Sequence, residues 1–133
     1  MFALSSENRF HLYSQPTDMR KSFDGLSGLV QNTLARNPCN GDVFIFINKR
    51  RDKIKLLHWQ GAGFILYYKR LEKGTFELPR YDSSVGSIVL GYTKLVMIIN
   101  GLSIENILRR SPSDKKENVT GQIINALFIK KIT

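Results

Sequence analysis

The sequence holds one cysteine, Cys39, in 133 residues. That excludes an internal disulfide and any zinc site built from several cysteines, and it suits a reducing compartment. Acids are also scarce: 11 Asp and Glu face 20 Lys and Arg, leaving a net charge of +9. The few carboxylates lie mostly in turns or at element ends, so no converging set for two-metal phosphodiester chemistry is visible. Only two histidines occur, His11 and His58. Each sits in a strand-like stretch with no cysteine or carboxylate at ligand spacing, and each reads as a packed or surface histidine. The glycine-bearing strings GAG (61–63) and GLSG (25–28) lack the strand–loop–helix setting of a phosphate cradle. No window approaches the roughly 18 apolar residues of a membrane span. The start, MFALSSENRF, has no basic segment followed by a long apolar run, so no signal peptide is expected. These absences together point to a cytoplasmic protein, nucleoid-associated if DNA-bound. It is expected to be no enzyme, with no cofactor, no metal, no membrane and no small-molecule substrate.

What is present is a globular composition, 42% apolar and 23% charged, enough to fold one domain of this length. The positive charge is unevenly spread. Residues 49–73 carry eight Lys/Arg against two acids, a net of +6 in under a fifth of the chain. A concentration of this kind favours a polyanionic partner, nucleic acid first.

Arg9–Ser14 reads as a short strand. Met19, Phe23, Leu26, Val30 and Leu34 recur at helical spacing, which predicts a long helix over about 19–35 with Thr17 or Asp18 as its cap. From Asp42 to Pro79 the period changes to two, predicting strands at 43–48, 53–60, 64–71 and 75–79 joined by KRRD, GAG and EKG. Ser87–Leu90 adds another strand, and Thr93–Asn100 a short apolar helix closed by Gly101. A further helical turn is expected over 103–109. The resulting expectation is an α+β fold: an antiparallel β-meander sheet of about five strands with one long N-terminal and one short C-terminal helix. A single domain would span 1–110, followed over 111–133 by a polar linker, expected to be poorly ordered, and a short helical tail.

A loop centred on Arg50-Arg51 pairs residues whose numbers sum to 101, which puts Val43, Ile45, Ile47, Ile54 and Leu56 on one face. A three-residue GAG loop would add Leu66 and Tyr68, and the long helix, through Phe23, Leu26 and Val30, would cover that face. The opposite face would collect Phe44, Phe46, Lys55, Leu57, Trp59, Tyr67 and Lys69, with Lys55 directly opposite Lys69. Two readings of it stand side by side. Aromatics flanked by cations form a stacking platform for nucleic acid. Alternatively, Phe44, Phe46 and Leu57 form a second core under the C-terminal helix, with lysines at its rim. A one-residue change of loop length would reassign every face. The turn is the sharper candidate, because three consecutive cations at a loop tip cannot be buried. Arg20-Lys21, at the start of the predicted helix, oppose the macrodipole there.

The strings TDMRKSFDGLSGLV (17–30) and NGDVFIFINKRRDKIKLLHWQGAGFILYYKRLEKGTFELP (40–79) closely resemble one family. It is the small accessory, second-ORF protein (often called TnpB) of insertion sequences of the IS-sixty-six type. The shared features are DMRKSFDGL, G-D-V-F-I-F, the basic turn, K-L-L-x-W, G-F-x-L-Y-Y-K-R-L-E-x-G and F-x-L-P, with YTKLVMIINGLSIEN (92–106) similar to a closing helix. The resemblance covers roughly residues 2–104, and the tail after Arg110 departs from it. It implies a bacterial mobile-element protein that accompanies a separate, larger transposase, and it bears no similarity to the RNA-guided nuclease of the same name. The family supplies no catalytic residues to carry over.

The expected function is therefore that of a non-catalytic accessory of DNA transposition. It would bind the DNA of element ends, or the transposase–DNA complex, through Arg20, Lys21, Lys49, Arg50, Arg51, Lys53, Lys55, Trp59, Tyr67, Lys69 and Arg70. The alternative is a protein–protein adaptor that assembles or stabilises the transposase without touching DNA.

Overall fold

A computed structural model describes residues 4–101. The readings for 103–109 and for 111–133 lie outside the described residues. The elements run β1 (Phe10–Tyr13), α1 (Phe23–Gly28) continuing as a π-helical turn over Leu29–Thr33, β2 (Val43–Ile47), β3 (Lys53–Gln60), β4 (Gly63–Arg70), β5 (Ser87–Leu90) and α2 (Tyr92–Ile99). The strands form one sheet in the order β4-β3-β2-β1-β5.

The sheet is mixed rather than antiparallel throughout. β1 pairs parallel with β2, Phe10 opposite Val43 and Leu12 opposite Ile45, and antiparallel with β5. Parallel neighbours need a crossover of a dozen or more residues, and the segment carrying α1 supplies it. The predicted strand at 75–79 does not form. Its Phe76 instead donates its backbone N–H to the Arg51 carbonyl and buries its ring in the core.

Among the described residues no long N-terminal helix is present either. Asp18 turns the chain by accepting the Arg20 N–H on its side chain and the Lys21 N–H on its carbonyl. The carbonyls of Met19 and Lys21 both accept from the ammonium of Lys55, at 2.7 and 2.8 Å. With those groups committed elsewhere, helical bonding starts only at Ser22, whose carbonyl accepts from Leu26. The helical segment ends at Ala35 in the left-handed region, φ 51°, and the Arg36 N–H closes it on the Val30 carbonyl.

The first hairpin has the expected register, Val43 opposite His58 through Ile47 opposite Ile54. The second is shifted by one residue. Gly61 and Ala62 form a two-residue turn with Gly61 at φ 65°, so Gln60 faces Gly63 and Lys55 faces Tyr68 instead of Lys69. Positive φ at the first central residue alone is the II′ pattern, which matches strand twist.

Both faces of the sheet are buried, under different helices. Val43, Ile45, Ile47, Ile54 and Leu56 pack with Phe10, Leu12 and Phe76 beneath Leu95, Val96, Ile98 and Ile99 of α2. The other face, Phe44, Phe46 and Leu57, lies beneath Leu26 and Val30, with Leu66 and Phe64 at its margin. The expected coverage of the Val43 face by the N-terminal helix is thus corrected. That helix covers the opposite face, Leu66 goes with it, and Phe23 is exposed. The helical pattern and the strand pattern were each readable. Two apolar sheet faces, however, carry no polarity contrast to say which helix takes which.

Candidate nucleic-acid interface

The β2–β3 turn is built by Asn48. Its side-chain oxygen accepts the N–H groups of Asp52 and Lys53, and its amide donates to the Asp52 carboxylate at 2.6 Å. That hydrogen bond, aided by the charge of Lys53, holds the Asp52 carboxyl below its usual range. The turn is braced from behind as well. The carbonyls of Arg51 and Asp52 accept from Phe76 and Leu71. On this frame Lys49, Arg50 and Arg51 are all exposed. Among the described residues none of the three joins an ion pair; those pairs are His11–Asp42, Arg20–Asp18 and Arg70–Glu72.

The remaining sequence-selected residues divide. Lys53 and Arg70 face each other at the open end of the β3–β4 pair, next to the β2–β3 turn. The Arg70 guanidinium is engaged by Glu72 at 2.9 Å, both side chains being exposed. Arg20 is likewise engaged by Asp18 at 2.7 Å, while Lys21 is exposed. Lys55 is not at the surface. It is 5% exposed, its ammonium held by the two carbonyls and lying 4.6 Å from the centre of the Tyr68 ring. Burial pushes its pKa down, and the charge of Asp18 opposes that.

The one-residue shift moves Tyr67 and Lys69 to the α2 face, away from Lys55 and Trp59. Tyr67 packs on the core there, and burial pushes its phenol up. Lys69 donates to the Ile99 carbonyl at the end of α2, where a cation satisfies an orphan carbonyl and suits the helix dipole. Trp59 is half-buried, edge-on to Phe64 with ring centres 5.0 Å apart. The expected continuous platform is therefore split between two faces, and its phenylalanines are core.

The Asp18–Arg20 pair gives a pH prediction. The Arg20 side chain, then its backbone N–H, lowers the Asp18 pKa from 3.8 to about 2. A folded value below the unfolded one means the pair adds stability above pH near 4, and that this is lost as the pH falls toward 2. Carboxyl titration by NMR should place Asp18 near 2, and Arg20→Ala should return it toward 3.8. A titration unmoved by the substitution would contradict the pairing.

Sequence reasoning missed one part of this surface. A cleft of about 560 Å³ opens beside the turn, walled by the end of β1, by Asn48, Lys49 and Arg51, and by Leu78, Pro79, Arg80, Tyr81 and Ser83. The Tyr81 hydroxyl donates to the Ser14 carbonyl and Gln15 donates to the Ser83 carbonyl, fixing the far wall. Arg80 follows Leu-Pro in a stretch without periodicity, so no local pattern marks it. Elsewhere, His11 and Asp42 meet at 2.8 Å, with His11 buried and stacked on Phe44. Among the described residues no group of three or more His, Cys, Asp or Glu could hold a metal, and no helix is long and apolar enough to cross a membrane.

No solved structure matches the chain. It is similar to two proteins of Sinorhizobium fredii, uncharacterized protein y4jC and uncharacterized protein y4hO. The first is 32% identical over 102 residues, 77% of this chain and 86% of the relative. The second is 33% identical over 86 residues, 65% and 73%. The family described as IS66 Orf2 like protein matches residues 8–109. That span takes in the whole sheet, both helices and the basic turn, and the chain belongs to this family of transposition-associated accessory proteins of insertion sequences.

Proposed function

We propose that the protein is a non-catalytic accessory of transposition that contacts element DNA, or the transposase–DNA complex, through the β2–β3 turn. One observation carries this reading. Lys49, Arg50 and Arg51 stand exposed on a turn braced by Asn48, outside any ion pair among the described residues. Lys55, Lys69, Arg20 and Arg70 are by contrast engaged by carbonyls or carboxylates. A rigid cationic tip pays little ordering entropy on meeting phosphate, and phosphate contact dominates affinity for DNA. Lys53 and Lys21 extend the basic surface, whereas Trp59, paired with Phe64 near the Gly61-Ala62 turn, lies toward the opposite end of β3.

The test is a gel shift of the purified protein with duplex carrying the element's terminal inverted repeats, against scrambled duplex, with and without transposase. The expected result is retardation of DNA by the protein alone and a slower complex when transposase is added. A stable complex with transposase in the absence of DNA, with no retardation of any DNA by the protein itself, would put the adaptor role in its place.

A further inference from the structure

We propose that the cleft beside the basic turn takes one unpaired nucleotide of a DNA strand, its phosphate on Lys49, Arg51 and Arg80 and its base against the tyrosine walls. The proposal rests on the DNA reading above and deepens it by naming the form of DNA and a second set of residues.

Size and charge come first. At about 560 Å³ the cleft falls within the roughly 300–1,000 Å³ of sites that enclose a small ligand. Three cations line it and no carboxylate does, which selects an anion. The aromatic wall comes second. Tyr13 lies edge-on to Phe46 at 6.1 Å, and Tyr81 is held by its bond to the Ser14 carbonyl. Both rings are half-buried and fixed, as suits stacking against a base, which is tolerant of sequence.

Two local misfits sit at the same place. Arg51 holds a left-handed backbone, φ 58°, a conformation that disfavours any side chain but glycine's. Strain of this kind concentrates where it positions a functional group. Ser14, 5% exposed, keeps its hydroxyl buried without a hydrogen-bond partner at the cleft wall.

The occupant is part of a strand rather than a free nucleotide because Lys49 and Arg51 belong to both cleft and turn. Neighbouring phosphates of one strand would continue onto Arg50 and Lys53. A base-paired duplex keeps its bases stacked inside and reaches only the convex tip.

The experiment measures fluorescence anisotropy of the full chain with a labelled oligothymidylate and with a duplex of equal length. Arg80→Ala is compared with Arg50→Ala, because Arg50 lies on the turn but outside the cleft lining. Arg80→Ala should weaken single-strand binding at least about tenfold, the loss of one charge-assisted bond. It should also flatten that log–log salt slope by about 0.7, with duplex affinity within about twofold and thermal midpoint unchanged. Arg50→Ala should weaken the duplex more than the single strand. Thymidine monophosphate should displace the single strand from the wild type at concentrations where inorganic phosphate does not.

Unchanged single-strand binding by Arg80→Ala, with Arg50→Ala still weakening the duplex, would overturn the cleft and leave the DNA reading standing. Equal displacement by inorganic phosphate would overturn the nucleotide and leave a bare anion site. Wild-type protein that binds neither DNA would overturn this proposal and the DNA reading together.

Discussion

Replacing Phe46 by alanine should destabilise the protein by about 3–5 kcal/mol, the range for removing a buried aromatic ring. Phe46 has no exposed surface and belongs to the cluster of Phe44, Leu57, Leu26 and Val30. Tyr13 packs edge-on against its ring. The neighbours are held by the sheet and by the helical segment, so they cannot collapse into the space. For a domain of this size the midpoint of thermal unfolding should fall on the order of 10–20 °C. A loss below about 1 kcal/mol, joined to weakened DNA binding, would instead return Phe46 to a stacking surface.

Lys55→Met carries the second large effect. Methionine keeps most of the stem but removes the ammonium that bonds the Met19 and Lys21 carbonyls. Each charge-assisted bond is worth about 1.5–3 kcal/mol, and the lysine's own desolvation cost is relieved, so the net loss should be about 2–4 kcal/mol. The effect should be local as well as global. Amide exchange should rise first across residues 18–22, where the chain is pinned by this side chain, before β3 itself opens. A variant with wild-type stability and unchanged protection at 18–22 would show that Lys55 is dispensable to the fold.

These two residues explain how much of the structure was legible beforehand. The β-rich apolar run Val43–Ile47 and the strand Lys53–Gln60, with a five-residue loop centred on Arg50-Arg51 between them, specified the first hairpin and its register. The Gly61-Ala62-Gly63 string admits either a two- or a three-residue connection. That single residue decided whether Lys55 met Lys69 or Tyr68. The start of the first helix was hidden because it depends on Lys55, a partner 34 to 36 residues away. The parallel pairing of β1 was hidden because a four-residue strand carries no mark of its neighbour's direction. At the candidate site the turn was readable, since three adjacent cations at a tip have nowhere to go but solvent. Arg80 and the cleft were not, because they arise where the 78–83 segment passes the end of β1.

The most direct measurement of the central claim is the salt dependence of DNA binding by Lys49→Ala, Arg50→Ala and Arg51→Ala combined. If the turn neutralises phosphates, the log–log slope for duplex DNA should flatten by up to about 2.7, at about 0.9 per contact. Stability should barely change, because exposed turn cations contribute little to it. Unchanged affinity and an unchanged slope in a folded triple variant would contradict DNA contact through the turn.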